Sequence, residues 1–112
     1  MWAPRRSLDN LVAVVDFNKL QATGSSVEIT QLEPLAGKWR AFGWDVVEID
    51  GHDFTQLVPA LAPSSTGAPR LVVAHTIKGK GVSFMEGDLE WHYRPPSKDD
   101  LRRALEEIGK GA

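Results

Sequence analysis

Apolar residues in this chain come as short continuous runs and as spaced stripes, and the two patterns alternate. Leu11 to Val15 is a run that ends abruptly in Asp16 and Asn18. A run this short and this rich in β-branched residues predicts a strand buried on both faces, as in parallel sheets. Asp45 to Ile49 and Arg70 to Ala74 predict two more strands. Between them Leu32, Leu35, Ala36, Trp39 and Phe42 recur at helical spacing, and Phe54, Leu57, Val58 and Leu61 form a second stripe. Leu101, Leu105 and Ile108 mark a closing helix.

The boundary signals agree with this alternation. Thr30-x-x-Glu33 has the spacing of a capping box opening the first helix, with Pro34 tolerated only near its first turn. Gly43 suits the left-handed position past that helix, and Asp53 caps the next. Ser97 and Asp100 have capping spacing for the last helix, with Gly109 expected past its end. Met1 to Ser7 reads as a frayed end or contact arm, Gln21 to Ile29 as a loop, and Pro63 to Pro69 as turn-forming. Lys78 to Gly81 is glycine-broken, and the stretch to Pro96 is irregular. The sum is an α/β chain, β-α-β-α-β-loop-α, read as one domain over residues 1–112 and as half of a doubly wound parallel sheet. Such a half-sheet leaves an edge unpaired and a face uncovered, so a partner is expected.

Composition narrows the function. Apolar residues are 42% and charged residues 25% of the 112, the proportions of an ordinary globular domain. A formal net charge of −2 gives no basic field for nucleic acid. Absence of cysteine excludes disulfides, thiolate metal sites and cysteine nucleophiles in these residues. Two arginines near the amino terminus have no apolar stretch behind them, and no run approaches the ~18 apolar residues of a membrane span. The expectation is a soluble, cytoplasmic protein bound to no membrane.

Ligands of open α/β sheets sit outside the carboxyl ends of the strands, which brings forward the polar residues there. Asn18 is a turn residue or, through its amide oxygen, a ligand for a hard cation. His75 ends the third strand, where lining a pocket and packing are equally supported. His52, in Asp50-Gly51-His52-Asp53, reads as part of a turn. Lys78-Gly79-Lys80-Gly81 offers charge and backbone access to phosphate, although it lacks the Ser or Thr of a P-loop. His92 lies between Trp91 and Tyr93, a candidate contact surface. Trp39, Trp44 and Trp91 read as core or interface aromatics, and Asp99, Asp100, Glu106 and Glu107 as a solvated helix face.

Several of these segments resemble, in order, the diphosphate-binding domain of transketolases, which are thiamine-diphosphate enzymes. They are Asp16-Phe17-Asn18-Lys19-Leu20 with the turn Thr23-Gly24-Ser25-Ser26, then Trp39 to Val47, Ile49 to Asp53, His75 to Gly81, and Glu90-Trp91-His92. The similarity runs from Leu8 to Leu105. The resemblance implies that thiamine diphosphate is held through Mg²⁺ or Ca²⁺, with the Asn18 side chain and the Leu20 carbonyl as metal ligands. It implies that His92 reaches the cofactor's diphosphate and the reacting substrate, and it places His75 and Lys78 among the candidate cofactor-binding residues.

One departure shapes the functional expectation. The family's Gly-Asp-Gly segment, whose Asp is the anionic metal ligand, precedes the Asn; none of the seventeen residues before Asn18 forms it, and Gly87-Asp88 lies downstream. The family's catalytic glutamate comes from a pyrimidine-binding domain that nothing here resembles. The chain is therefore expected to act only with complementary transketolase-like chains that supply both parts and share the cofactor and metal. The implied chemistry is transfer of a two-carbon ketol unit between sugar phosphates or related carbonyl compounds. The alternatives are a non-catalytic remnant or assembly subunit of the same fold, and a part of an enzyme that makes deoxyxylulose phosphate or acts on 2-oxo acids.

Overall fold

The computed structural model describes residues 1–110 and divides into two compact units. The first comprises Met1–Phe17 and Thr30–Thr76, and the second Asn18–Ile29 and the chain from Ile77 onward.

The first unit contains α1 (Trp2–Arg5) and β1 (Val12–Phe17). The second unit then takes a small antiparallel hairpin, β2 (Leu20–Gln21) with β3 (Gly24–Ser25), and α2 (Ser26–Ile29). The first unit resumes with α3 (Leu35–Ala41), β4 (Asp45–Asp50), α4 (Phe54–Ala60) and β5 (Arg70–His75). A short 3₁₀ turn, Leu89–His92, and α5 (Lys98–Lys110) belong to the second unit.

The three long strands form one parallel sheet in the order β1-β5-β4. β5 is central, pairing Leu71 with Ala13 and Val46, and Val73 with Val15 and Glu48. Central placement explains its composition: Leu71, Val72 and Val73 are at most 1% exposed, and a strand buried on both faces needs apolar side chains at consecutive positions. By alternation Phe17, Leu71, Val73 and Val46 share one face. Ala36, Leu35, Trp39 and Trp44 pack on that face to make the core. Trp39 and Trp44 meet edge to face with centroids 4.8 Å apart.

The α/β alternation and parallel sheet are as the pattern predicted, with local corrections. β1 begins at Val12 and runs on to Phe17, so Asp16 lies within the strand, and as an edge strand with Val14 half exposed it is not buried on both faces. The Thr30/Glu33 box does not form; α3 starts after Pro34, with no side-chain cap. The residue before a proline is disfavoured from helical geometry, which keeps Glu33 out of the first turn. Lys38 Nζ holds the entry segment instead, donating to the Gln31 and Leu32 carbonyls at 3.2 and 2.9 Å. Gly43 has φ +86°, as expected just past the helix, and a Cβ there would stand 3.2 Å from Pro4 Cβ. Met1 to Ser7 is not frayed: it carries α1, and Ala3 is buried.

The predicted α4 stripe is not a core stripe. Phe54, Val58 and Leu61 are exposed, as is Phe42 beyond α3, while the small Ala60 is buried. Asp53 does cap α4, accepting from Thr55 N at 2.8 Å. At the start of the sheet, Arg70 donates through two nitrogens to Asp45 Oδ2, at 3.2 and 2.9 Å, and Ser64 donates to the same oxygen at 2.6 Å. The Ser64 hydrogen bond first, and then Arg70, hold the Asp45 pKa below the ordinary carboxylate value.

In the second unit the loop expected between Gln21 and Ile29 holds the hairpin and α2. Ser25 and Glu28 form the reciprocal capping box there: Ser25 Oγ donates to Glu28 Oε2 at 2.8 Å and accepts from Glu28 N at 3.3 Å. Ser97 and Asp100 form the predicted one, with Ser97 Oγ donating to Asp100 Oδ2 at 2.7 Å and accepting from Asp100 N at 3.1 Å. Gly109 lies inside α5, not past its end. Asp100 and Glu107 are not solvated residues of a charged face. Asp100 is buried in its cap, and Glu107 accepts from Ser83 N at 2.6 Å and Ser83 Oγ at 3.0 Å. Hydrogen bonds from Ser97 and from Ser83 lower the pKa of Asp100 and Glu107 respectively.

Candidate functional site

Each unit carries candidate residues. In the first they gather at the carboxyl end of the sheet, on the face that α3 covers. Phe17 and His75 are register partners, and their rings meet edge to face at 5.6 Å. Glu48 shares that face as the diagonal neighbour of His75, and its Oε2 lies 3.3 Å from His75 Nε2. The other oxygen of Glu48 accepts from Arg40 Nη2 at 3.5 Å, and Arg40 also reaches the Val46 carbonyl at 3.4 Å. These side chains, with Glu33, Pro34 and Gly37, border a cavity of about 410 Å³.

On the opposite face Thr76 donates its hydroxyl to Asp16, joining the ends of β1 and β5. Gly51 N donates to the His75 carbonyl at 2.8 Å. A Cβ on Gly51 would fall 2.5 Å from Thr76 Cγ2, so glycine is required by close approach here. His52 lies on the same turn, its amide donating to Asp50 Oδ1 at 2.9 Å.

In the second unit Asn18 Oδ1 accepts from Leu20 N at 2.9 Å, across Lys19 at φ +62°. This Asx-type turn fixes the side chain and launches the hairpin, whose next bond is Ser26 N to the Lys19 carbonyl at 2.8 Å. An amide oxygen has two acceptor positions, so the turn leaves one for a cation. Lys78 is half-buried, and its carbonyl accepts from Gly87 N at 2.9 Å. The Lys78–Gly81 loop is a closed turn: Lys80 N bonds the Ile77 carbonyl, Gly81 N bonds Glu86 Oε1 at 3.0 Å, and Lys80 Nζ lies 3.6 Å from Glu86. Gly79 and Gly81 have φ +73° and +92°, and a Cβ on Gly79 would strike the Met85 carbonyl at 2.5 Å.

His92 closes the 3₁₀ turn that Asp88 caps, and is exposed with its ring 4.8 Å from that of Tyr93. Trp91 beside it is anchored, donating Nε1 to the Phe84 carbonyl at 2.9 Å, with Arg94 4.6 Å over its ring. Among the described residues no group of three or more His, Cys, Asp or Glu could hold a metal ion. No helix of the described residues is long and apolar enough to cross a membrane.

The Glu48 and Arg40 arrangement was not read from the sequence. Its signal was a carboxylate two residues after Val46, on the same face of β4 as that core residue.

The fold is that of a parallel α/β sheet domain, and its polar side chains gather at the carboxyl edge, where ligands of open α/β sheets bind. Residues 2–111 match the family described as "Transketolase, thiamine diphosphate binding domain", and the chain belongs to that family. A 6-deoxy-6-sulfo-D-fructose transketolase subunit of Clostridium sp. strain MSTE9 is 45% identical, the match covering 98% of this chain and 41% of the relative. An apulose-4-phosphate transketolase subunit of Actinobacillus succinogenes is 43% identical, over 96% of this chain and 40% of the relative. Among solved structures, the Pichia stipitis transketolase complex with sedoheptulose-7-phosphate superposes with a TM-score of 0.85 at 30% identity. That match covers 96% of this chain and 16% of the other. The chain thus spans about two-fifths of the length of those two curated relatives.

Proposed function

We propose that these residues are one partial diphosphate-binding domain of a transketolase-type enzyme that moves a two-carbon ketol unit between sugar phosphates or related carbonyl compounds. The observation that carries the reading is the Asn18–Leu20 turn, which fixes a side-chain amide oxygen within two residues of a backbone carbonyl in a chain of this family. Both are hard neutral oxygens of the kind Mg²⁺ and Ca²⁺ take. They fit part of a coordination shell but lack a carboxylate, so the anionic ligand comes from a Gly-Asp-Gly segment outside these residues.

Bound there, thiamine diphosphate supplies the carbon nucleophile of ketol transfer. Asn18 and the Leu20 carbonyl hold the metal, Lys78 and His92 meet phosphate or substrate oxygens, and His75 faces the ligand with a ring nitrogen. A Gly-Asp-Gly segment and a pyrimidine domain, neither among these residues, complete the site. Both curated relatives being named as transketolase subunits supports a partner chain in the enzyme.

Isothermal titration of thiamine diphosphate with Mg²⁺ tests the proposal. The purified chain alone gives no saturable heat, its mixture with complementary transketolase-like chains gives saturable binding, and Asn18→Ala weakens that binding. Saturable binding by the chain alone refutes the shared site, and no binding in the mixture refutes the functional reading.

A further inference from the structure

We propose that Glu48, itself tethered by Arg40, is a positioning residue for His75. It keeps a proton on Nε2, so that Nδ1 of the neutral ring is free to accept a hydrogen bond from a hydroxyl group of a sugar-type ligand. The proposal deepens the transketolase-type reading and rests on it.

The starting point is the chemistry of the contact. A carboxylate only accepts, so the 3.3 Å contact between Glu48 Oε2 and His75 Nε2 requires the proton to sit on Nε2. The neutral imidazole then has Nδ1 as its acceptor. Two side chains orient the ring, and a third holds one of them. Phe17 meets the ring edge to face, Glu48 holds Nε2, and Arg40 occupies the second carboxylate oxygen while bonding the Val46 carbonyl.

The arrangement contributes little to folding. The three polar side chains are 42–53% exposed, and ion pairs so open to water are worth at most about 1 kcal/mol. A charge at that register position, on the strand face that buries Val46 and beside a cavity of about 410 Å³, is better explained by ring positioning than by stability. Glu33 is the other ionisable side chain at the cavity, and it has the wrong sign to replace Arg40.

The test has two readouts. In the purified chain at about pH 8.5, above the ordinary histidine pKa, long-range ¹⁵N–¹H spectra report which ring nitrogen carries the proton. His75 shows Nε2–H alone. Glu48→Ala raises the Nδ1–H population several-fold, and Glu48→Gln, whose amide oxygen still accepts, restores the original state. An Nδ1–H ring, or a ratio that Glu48→Ala does not move, overturns the proposal.

In the assembled enzyme Glu48→Ala raises KM for the sugar phosphate about fivefold, the effect of losing one neutral hydrogen bond, and changes kcat less than about twofold. It adds nothing in the His75→Ala background. A shifted tautomer with an unchanged KM also overturns the positioning role. Asn18→Ala separates that failure from failure of the underlying reading, which falls if the unaltered mixture does not bind thiamine diphosphate or if binding survives the Asn18 change.

Discussion

The two units of this chain are held together by different physics. The sheet unit is organised on one central strand whose Leu71, Val72 and Val73 are out of water on both faces. The unit of hairpin and α5 has small buried residues, Val82 and Ala104 among them, and leans on polar closures: Ser25 with Glu28, Ser97 with Asp100, and Ser83 with Glu107. Its longest helix leaves Leu101, Leu105 and Ile108 between 53% and 60% exposed. The first unit therefore carries its own core, although its α4 stripe is largely exposed, whereas the second leaves the stripe of its longest helix unburied by any described residue. Sequence periodicity identifies the stripes of α3, α4 and α5 equally well, and only the structure tells that α3 is covered and the other two are not.

The largest effect expected from this contrast is in the sheet. Leu71→Ala removes a fully buried side chain from between two paired strands and should cost about 2–5 kcal/mol, read by urea unfolding. A cost no larger than that of a helix-cap change in the second unit would show that the sheet unit depends on its central strand no more than the second unit depends on its caps. Next comes Gly79→Ala, which puts a Cβ against the Met85 carbonyl at positive φ and should cost about 1–3 kcal/mol. That loss would register on Trp91 fluorescence, since Trp91 is anchored to the Phe84 carbonyl in the same unit.

The caps come third, and they add a pH dependence. Ser97→Ala should cost about 0.5–2 kcal/mol, the usual range for losing an N-cap side chain. Asp45, Asp53, Asp100 and Glu107 all have folded pKa values below their ordinary ones, each chiefly because it accepts hydrogen bonds. A depressed carboxylate pKa adds stability that is complete above the unfolded value and is lost as pH falls through the folded value. Both units therefore weaken in acid, but the second has less apolar burial to fall back on. Amide spectra taken from about pH 6 down to pH 3 should lose the α5 resonances before those of Leu71 to Ala74. Simultaneous loss would show that the two units unfold as one.

What was legible in the sequence follows the same division. Three strands, the helices between them, the Asp53 cap and the Ser97 box were readable because local chemistry decides them. The Phe54, Val58 and Leu61 stripe misled because a helical period reports amphipathicity, while burial depends on what lies opposite. Thr30 and Glu33 had cap spacing but lost to Pro34, a rule one residue away in the sequence. The Asn18 turn was readable as a turn from residue type, and its proposed part in holding a metal rests on the resemblance. The contact of Glu48 with His75 spans 27 positions and depends on the parallel register of β4 on β5, which periodicity does not specify.

Leu105 lies mid-stripe on α5 and is 60% exposed, so Leu105→Gln, a change between two good helix formers, should leave the unfolding free energy of the chain within about 0.5 kcal/mol. Val14, half exposed on the edge strand β1, gives the matching site in the other unit. If complementary chains cover these surfaces, both substitutions will be near-silent in the chain alone and will weaken the assembled complex, read as a rise in the concentration of partner needed for half-maximal thiamine diphosphate binding. A loss above about 1.5 kcal/mol from Leu105→Gln in the chain alone would instead mean that α5 already packs its apolar face within this polypeptide.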